Sequence, residues 1–144
     1  MKLRHIRPER IPFEWERMAG LLAQALAHDP NKTTLKDLYA KLTSRNAHCL
    51  EVTADGVHGV LVFEVFEEED EIKAFTSYIA GKVELGPKAW VTAMRAMMAE
   101  FERMLADAGC VENYIGGRDW SRIFPDYEPA DGVPNRRKKG LSHV

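Results

Sequence analysis

Three consecutive runs decide the fold: IKAFTSYIA at 72–80, WVTAMRAMMAEFERMLADA at 90–108 and CVENYI at 110–115. The first and last are short and rich in β-branched and aromatic residues, as strands are. The middle run sets Trp90, Met94, Met97, Met98, Phe101, Met104, Leu105 and Ala108 at a period of 3.6, which is the spacing of an amphipathic helix. Pro87 suits the first helical position, where a backbone N–H would be unpaired anyway, and Gly109 suits the left-handed residue that closes a helix. Strand, helix, strand in this order is a crossover, so the two flanking strands are expected to be parallel. The methionines lie on the buried stripe and are expected in the core.

Toward the N-terminus the pattern is an antiparallel meander. Ala54-Asp55-Gly56 separates Cys49–Thr53 from an apolar run, Val57–Phe66, and Asp-Gly between two such runs predicts a hairpin. The acidic stretch Glu67–Glu71 reads as a solvated turn leading into Ile72–Ala80. Before the meander, Leu3–Arg7 suits a short first strand ended by Pro8. Trp15, Met18, Leu21, Leu22, Ala25 and Leu26 then mark a helix, stopped at His28-Asp29-Pro30-Asn31. A second helix begins at Thr33 or Thr34 with Asp37 as the return member of a capping box. Its stripe is Leu35, Leu38, Tyr39 and Leu42.

Beyond Ile115, Gly116-Gly117 breaks the chain, Asp119 is placed to cap a short helix through Phe124, and Pro125 ends it. Trp120 and Phe124 are read as aromatic anchors near the surface. From Tyr127 a last ragged strand is expected, with a mobile basic tail from about 135 that carries Arg136-Arg137-Lys138-Lys139. The whole chain, 1–144, reads as one domain.

Composition narrows the function classes. Of 144 residues, 45% are hydrophobic and 29% charged, which excludes a disordered chain. Twenty basic against 22 acidic residues give a net charge of −2, so no global field calls for nucleic acid. Neither an apolar run of membrane-spanning length nor an N-terminal apolar leader is expected. Cys49 and Cys110 make no disulfide framework, no metal-ligand spacing is present, and a cytoplasmic setting is expected.

The order of elements, together with Ala54-Asp55-Gly56-Val57-His58-Gly59-Val60, the long 90–108 helix and Gly109-Cys110-Val111, resembles the GNAT (GCN5-related N-acetyltransferase) family over almost the whole chain. The C-terminal half is similar to small GNAT-like proteins of tailed bacteriophages, some of them virion components. The resemblance implies an α+β fold, a mixed sheet with helices on both faces. It also implies transfer of an acyl group from acetyl-CoA or another acyl-CoA to an amine. In the family, a glycine-rich loop before the long helix binds the CoA pyrophosphate. Here that segment is Ala80-Gly81-Lys82-Val83-Glu84-Leu85-Gly86-Pro87-Lys88. Gly81, Lys82, Gly86 and Lys88 are therefore the candidate phosphate ligands, with altered spacing, Pro87 lacking a donor and Glu84 adding a negative charge.

The family's general acid is a tyrosine in the last helix, where this chain has Trp120. The candidates are Tyr127, favoured, and Tyr114. Glu64, flanked by apolar residues on a central strand, is the favoured general base, with a carboxyl raised if it faces a cleft. His48 and His58 are weaker candidates. The alternative is a non-enzymatic, GNAT-like bacteriophage virion or interaction subunit that keeps the scaffold without the cofactor loop. Expected partners are acyl-CoA and an amine in the first reading and other protein subunits in the second. A homo-oligomer fits either reading, and neither calls for a membrane.

Overall fold

A computed structural model of the chain describes residues 1–29, 31–54, 56–83 and 86–142. Strand β1 (Lys2–Ile6) leads through a short 3-10 turn at Pro8–Arg10 into α1 (Ile11–Leu26) and α2 (Leu35–Thr43). The meander follows as β2 (His48–Ala54), β3 (Val57–Glu68) and β4 (Glu71–Val83). The long helix α3 (Pro87–Asp107) then returns the chain to β5 (Cys110–Ile115), and a hairpin of β6 (Glu128–Pro129) and β7 (Arg137–Gly140) completes it. The strands form one sheet in the order β1-β2-β3-β4-β5-β7-β6. Among the described strands only β4 and β5 run parallel, as a helix-containing crossover requires. The expected α+β mixed sheet is thus present.

Helices cover both faces. Against α1 and α2 the sheet presents Cys49, Val60, Val62 and Ala80, which pack on Met18, Leu22, Leu38 and Leu42. Against α3 it presents Leu50, Val52, Leu61 and Ile79, packed on Met94, Met97, Met98 and Phe101. Period-2 alternation along each strand sorts these two sets. The methionine stripe is buried as expected except for Met104, which is 41% exposed beyond the edge of the packed face. Thr34 and Asp37 form the reciprocal capping box of α2.

The turn expected in the acidic stretch is present and is confined to two residues between β3 and β4. Glu69 and Asp70, in the acidic stretch, both adopt positive φ (54° and 65°), the conformation a two-residue hairpin turn needs. The Asp-Gly hairpin reading falls partly on Asp55, which lies outside the described residues. Gly56 has φ 68°, and Ala54 pairs with Val57 across the connection.

Three sequence expectations are corrected. The last helix is reduced to one turn, in which the Phe124 and Ile123 amides donate to the Trp120 carbonyl (2.8 and 3.1 Å) and Asp119 Oδ1 accepts from the Ser121 amide (2.9 Å). Trp120 and Phe124 are buried rather than near the surface, at 3% and 2% exposure. Most of the basic run is not a loose tail: Arg137–Gly140 pairs antiparallel with β5, and the Leu141 amide donates to the Val111 carbonyl (2.8 Å). Lys138 Nζ lies 3.7 Å from Glu112 on β5, and Lys139 Nζ lies 2.9 Å from Glu102 on α3 and over the Tyr127 ring.

Candidate functional site

The parallel pairing of β4 and β5 ends abruptly. It runs from Ile72 opposite Cys110 to Thr76 opposite Ile115. Beyond that point β4 continues with β3 alone, while β5 leaves the sheet at Gly116-Gly117. The registers of Val62 with Tyr78 and Phe63 with Thr76 leave Ser77 as an extra residue on β4, a β-bulge at the point of separation. The bulge resets the alternation, so that Phe75 and Tyr78 both face the α1–α2 side. Gly116 permits the close approach: a Cβ there would stand 3.3 Å from Cζ of Phe75.

A cleft of about 360 Å³ opens on that side, with Ser77, Tyr78, Phe75, Glu64, Lys41 and Arg136 in its walls. Glu64 reaches it from β3, where it pairs with Phe75. Its carboxylate stands 3.8 Å from Lys41 Nζ on α2. The Tyr78 hydroxyl donates to Asp29 Oδ2 (2.7 Å), and burial first, with the Asp29 carboxylate beside it, pushes that phenol up to about 12. Burial opposes ionisation of Asp29. Hydrogen bonds from Thr33, Tyr78 and the Asn31 amide nevertheless hold its carboxyl below the ordinary range.

Between the separated strands no open channel is left. Trp120 packs between them and donates from Nε1 to the Gly116 carbonyl (3.2 Å). The space left beside Ser77, Ile79 and Gly116 is about 10 Å³, the room of one water.

The sequence candidates are scattered over this frame. Glu64 is at the cleft. Tyr127 is not: it is 1% exposed beneath α3, where its hydroxyl donates to Glu102 Oε2 (2.6 Å) and accepts from Asn113 Nδ2 (2.9 Å). Burial, with Glu102 beside it, pushes that phenol far above its usual range, and the side chain does not line the cleft. Tyr114 is also buried and away from the cleft, 3.5 Å from Glu112 Oε1.

Gly81 is not part of a loop. β3 carries β4 on to Val83, with Gly81 paired to Gly59 under α3, and a Cβ at Gly81 would stand 2.7 Å from Met94 Cε. Its lack of a side chain serves close helix–sheet packing. Lys82 is exposed on the opposite face, paired with His58. Gly86 and Lys88 do lie at the start of α3. Gly86 has φ 96° and caps the helix without a side-chain bond, and no acidic residue stands in the first turn. Glu84 and Leu85 lie outside the described residues.

Of the remaining candidates, His48 stacks between His5 and Phe63, at centroid distances of 5.6 and 5.3 Å. His58 Nε2 lies 2.7 Å from Glu51 Oε2. Both cysteines are free and buried, and burial pushes the Cys49 thiol up to about 12. Among the described residues no cluster suits a metal ion, and no helix is long and apolar enough to cross a membrane.

Sequence reasoning missed Tyr78, Asp29 and Ser77, and read Arg136 only as part of a basic tail. Gly116-Gly117 directly after a parallel strand was the available signal, because a chain that must leave a sheet at close quarters needs such residues.

The comparison with solved structures agrees with this geometry. A Tetrahymena GCN5 structure matches 100% of this chain and 99% of its own at TM-score 0.67 and 9% identity. A ribosomal-protein-alanine N-acetyltransferase from Brucella melitensis biovar Abortus 2308 matches 100% and 98% at TM-score 0.59 and 16% identity. A probable N-acyltransferase from Enterococcus faecalis V583 matches 88% of this chain and 32% of its own at TM-score 0.55 and 15% identity. No protein-family model and no curated protein matches the sequence. The class is therefore one of fold: the chain has the GNAT acetyltransferase fold.

Proposed function

We propose that the chain is an acyl-CoA-dependent N-acyltransferase whose acceptor amine enters the cleft beside Glu64. The observation that carries this reading is the separation of the parallel pair β4–β5 at the Ser77 bulge, directly beside a cleft holding an accessible carboxylate and a protonated phenol. The exposed start of α3 supports the phosphate end. Its first amides lack intrahelical partners, and Lys88 adds positive charge in its first turn. Gly86 and Lys88 are the retained ligands of the original set, with Lys82 at longer range. Gly81 is withdrawn because Met94 occupies its open side.

In this reading the amine nitrogen forms a bond to the acyl carbon as the carbon–sulfur bond breaks. Glu64 takes the ammonium proton, and the departing thiolate is protonated from water, since the Tyr78 hydroxyl already gives its one hydrogen to Asp29. The pantetheine arm has no room until the Trp120 indole moves. That obstruction favours a second reading, a non-enzymatic interaction subunit such as a bacteriophage virion component.

Thermal unfolding of the full chain with and without millimolar acetyl-CoA separates the two. Ligand at 100 times Kd adds about 2.7 kcal/mol to stability. The enzyme reading expects a raised Tm that Lys88→Glu abolishes, and loss of thioester when an amine is added. The substitution leaves the fold intact, because an acidic residue in a first helical turn is itself favourable. An unmoved Tm with no thioester loss would overturn the enzyme reading.

A further inference from the structure

We propose that the cleft recognises an amine that also carries a carboxylate, with Arg136 taking the carboxylate and Glu64 the ammonium group. The inference rests on the acyltransferase reading only in calling that molecule the acceptor.

Arg136 differs from the other arginines and lysines that meet carboxylates in this chain. Arg4 and Arg17 pair with Glu14 and Glu51, and Lys73 and Lys139 each bridge two acidic residues. Among the described residues no carboxylate pairs with Arg136. Its guanidinium instead stacks 5.0 Å from the centroid of the Phe75 ring, in the wall of the cleft. A guanidinium stacked on an aromatic face keeps its in-plane N–H fork available, and that fork matches a carboxylate in two parallel bonds.

The group is also held in place. The Ala130 amide donates to the Arg136 carbonyl (2.9 Å), and the Arg136 amide donates to the Val133 carbonyl (3.1 Å). The next residue, Arg137, donates twice from its guanidinium to the Tyr127 carbonyl (2.9 and 2.6 Å). A charge whose backbone is already ordered loses less entropy on binding.

The anionic half of the site lies across the same ring. Glu64 is the cross-strand partner of Phe75 and points to the same face, with their Cβ atoms about 5 Å apart. Asp29, the other carboxylate of the cleft, spends its oxygens on the Asn31 and Thr33 amides and the Tyr78 hydroxyl. Among the described residues Glu64 has Lys41 alone, at 3.8 Å. One cation without a carboxylate partner and one under-used anion thus flank a single ring, the two complements that a dipeptide, with its charged ends roughly 7 Å apart when extended, presents together.

The test is titration of the full chain with glycylglycine, glycylglycinamide and N-acetylglycylglycine, followed by NMR without acyl-CoA. The dipeptide should bind at least tenfold more tightly than either blocked form. Arg136→Gln should weaken it about tenfold to a hundredfold, the worth of a paired charge-assisted contact, and leave the amide unchanged. Arg136→Lys should fall between. Lys138→Gln, whose native lysine pairs with Glu112 (3.7 Å) outside the cleft, should change nothing. Equal binding of all three probes, no binding of any, or equal loss of dipeptide and amide in Arg136→Gln would each overturn the proposal. A chain that binds the dipeptide as expected but transfers no acyl group overturns the proposed function and leaves this inference standing.

Discussion

Glu51 and Glu64 stand on the same face of the sheet, on adjacent strands, and meet opposite fates. Glu51 is 4% exposed and is met by Arg17 from α1, Arg4 from β1 (2.8 Å) and His58 from β3 (2.7 Å). Glu64 sits past the end of that helical cover, with one lysine at 3.8 Å and open space beside it. The same side chain is a structural anion where its lone pairs are all taken and is left open to the cleft where they are not. Strand position alone does not distinguish the two. What packs over the strand does.

The largest effect that sharpens this contrast is on stability. Glu51→Gln should cost about 3 kcal/mol in urea unfolding, because it removes the charge shared by two guanidinium groups and the His58 ring. Glu64→Gln should cost less than about 0.5 kcal/mol, as its ion pair is long and half-exposed. Equal losses would break the comparison.

Acid should produce a related effect. The hydrogen bond from Arg17, followed by those from Arg4 and His58, holds the Glu51 carboxyl down at about 2 against burial, from an ordinary 4.5. The folded-state value is depressed, so the stabilisation is complete above the unfolded value and is lost as pH falls from about 4.5 toward about 2. At ~1.4 kcal/mol per pH unit that gap is worth about 3 kcal/mol. Stability measured against pH should therefore fall more steeply over this window in the native chain than in Glu51→Gln. Parallel curves would show that the cluster contributes no such linkage.

The fold was legible because it is written in periodicities. The stripe from Trp90 to Leu105, the capping box at Thr34 and the turn residues Pro87 and Gly109 each have a local physical cause that needs no tertiary knowledge. The site was legible only where a side chain's face follows from alternation, as for Glu64. Tyr127 defeated the reading because its partners, Glu102 and Asn113, come from α3 and β5, and nothing local announces them. Gly81 defeated it for a different reason. A glycine that admits a phosphate and one that admits a helix have the same local signature, and only the Gly59–Gly81 pairing under Met94 tells them apart. The bulge at Ser77 was hidden because it arises from a register shift between two strands.

Tyr127 offers the next largest test. A buried relay runs from Thr76, at the bulge, through Asn113 and Tyr127 to Glu102 and Lys139 at the surface, with bonds of 2.8, 2.9, 2.6 and 2.9 Å. Tyr127→Phe strips a donor from Glu102 and an acceptor from Asn113, and should cost about 1–3 kcal/mol in chemical unfolding. If the relay is structural, ligand affinity at the cleft and the pH profile of any transfer should be those of the native chain. A shifted pH profile would return Tyr127 to the chemistry.

The smallest effect separates packing glycine from turn glycine at the two ends of the expected phosphate segment. In Gly81→Ala the new methyl meets Met94 Cε at 2.7 Å, the far end of a flexible side chain that can swing aside. In Gly86→Ala the methyl has open space but the backbone sits at φ 96°, where an L side chain is strained. Both should cost about 1 kcal/mol, one through the core and the other through the backbone. Acetyl-CoA affinity divides them. Gly86 borders the first amides of α3 and its substitution should weaken binding, whereas Gly81 faces Met94 under the helix and its substitution should leave binding unchanged. Binding lost in Gly81→Ala but kept in Gly86→Ala would mean that the phosphate end lies along β4 and not at the start of α3.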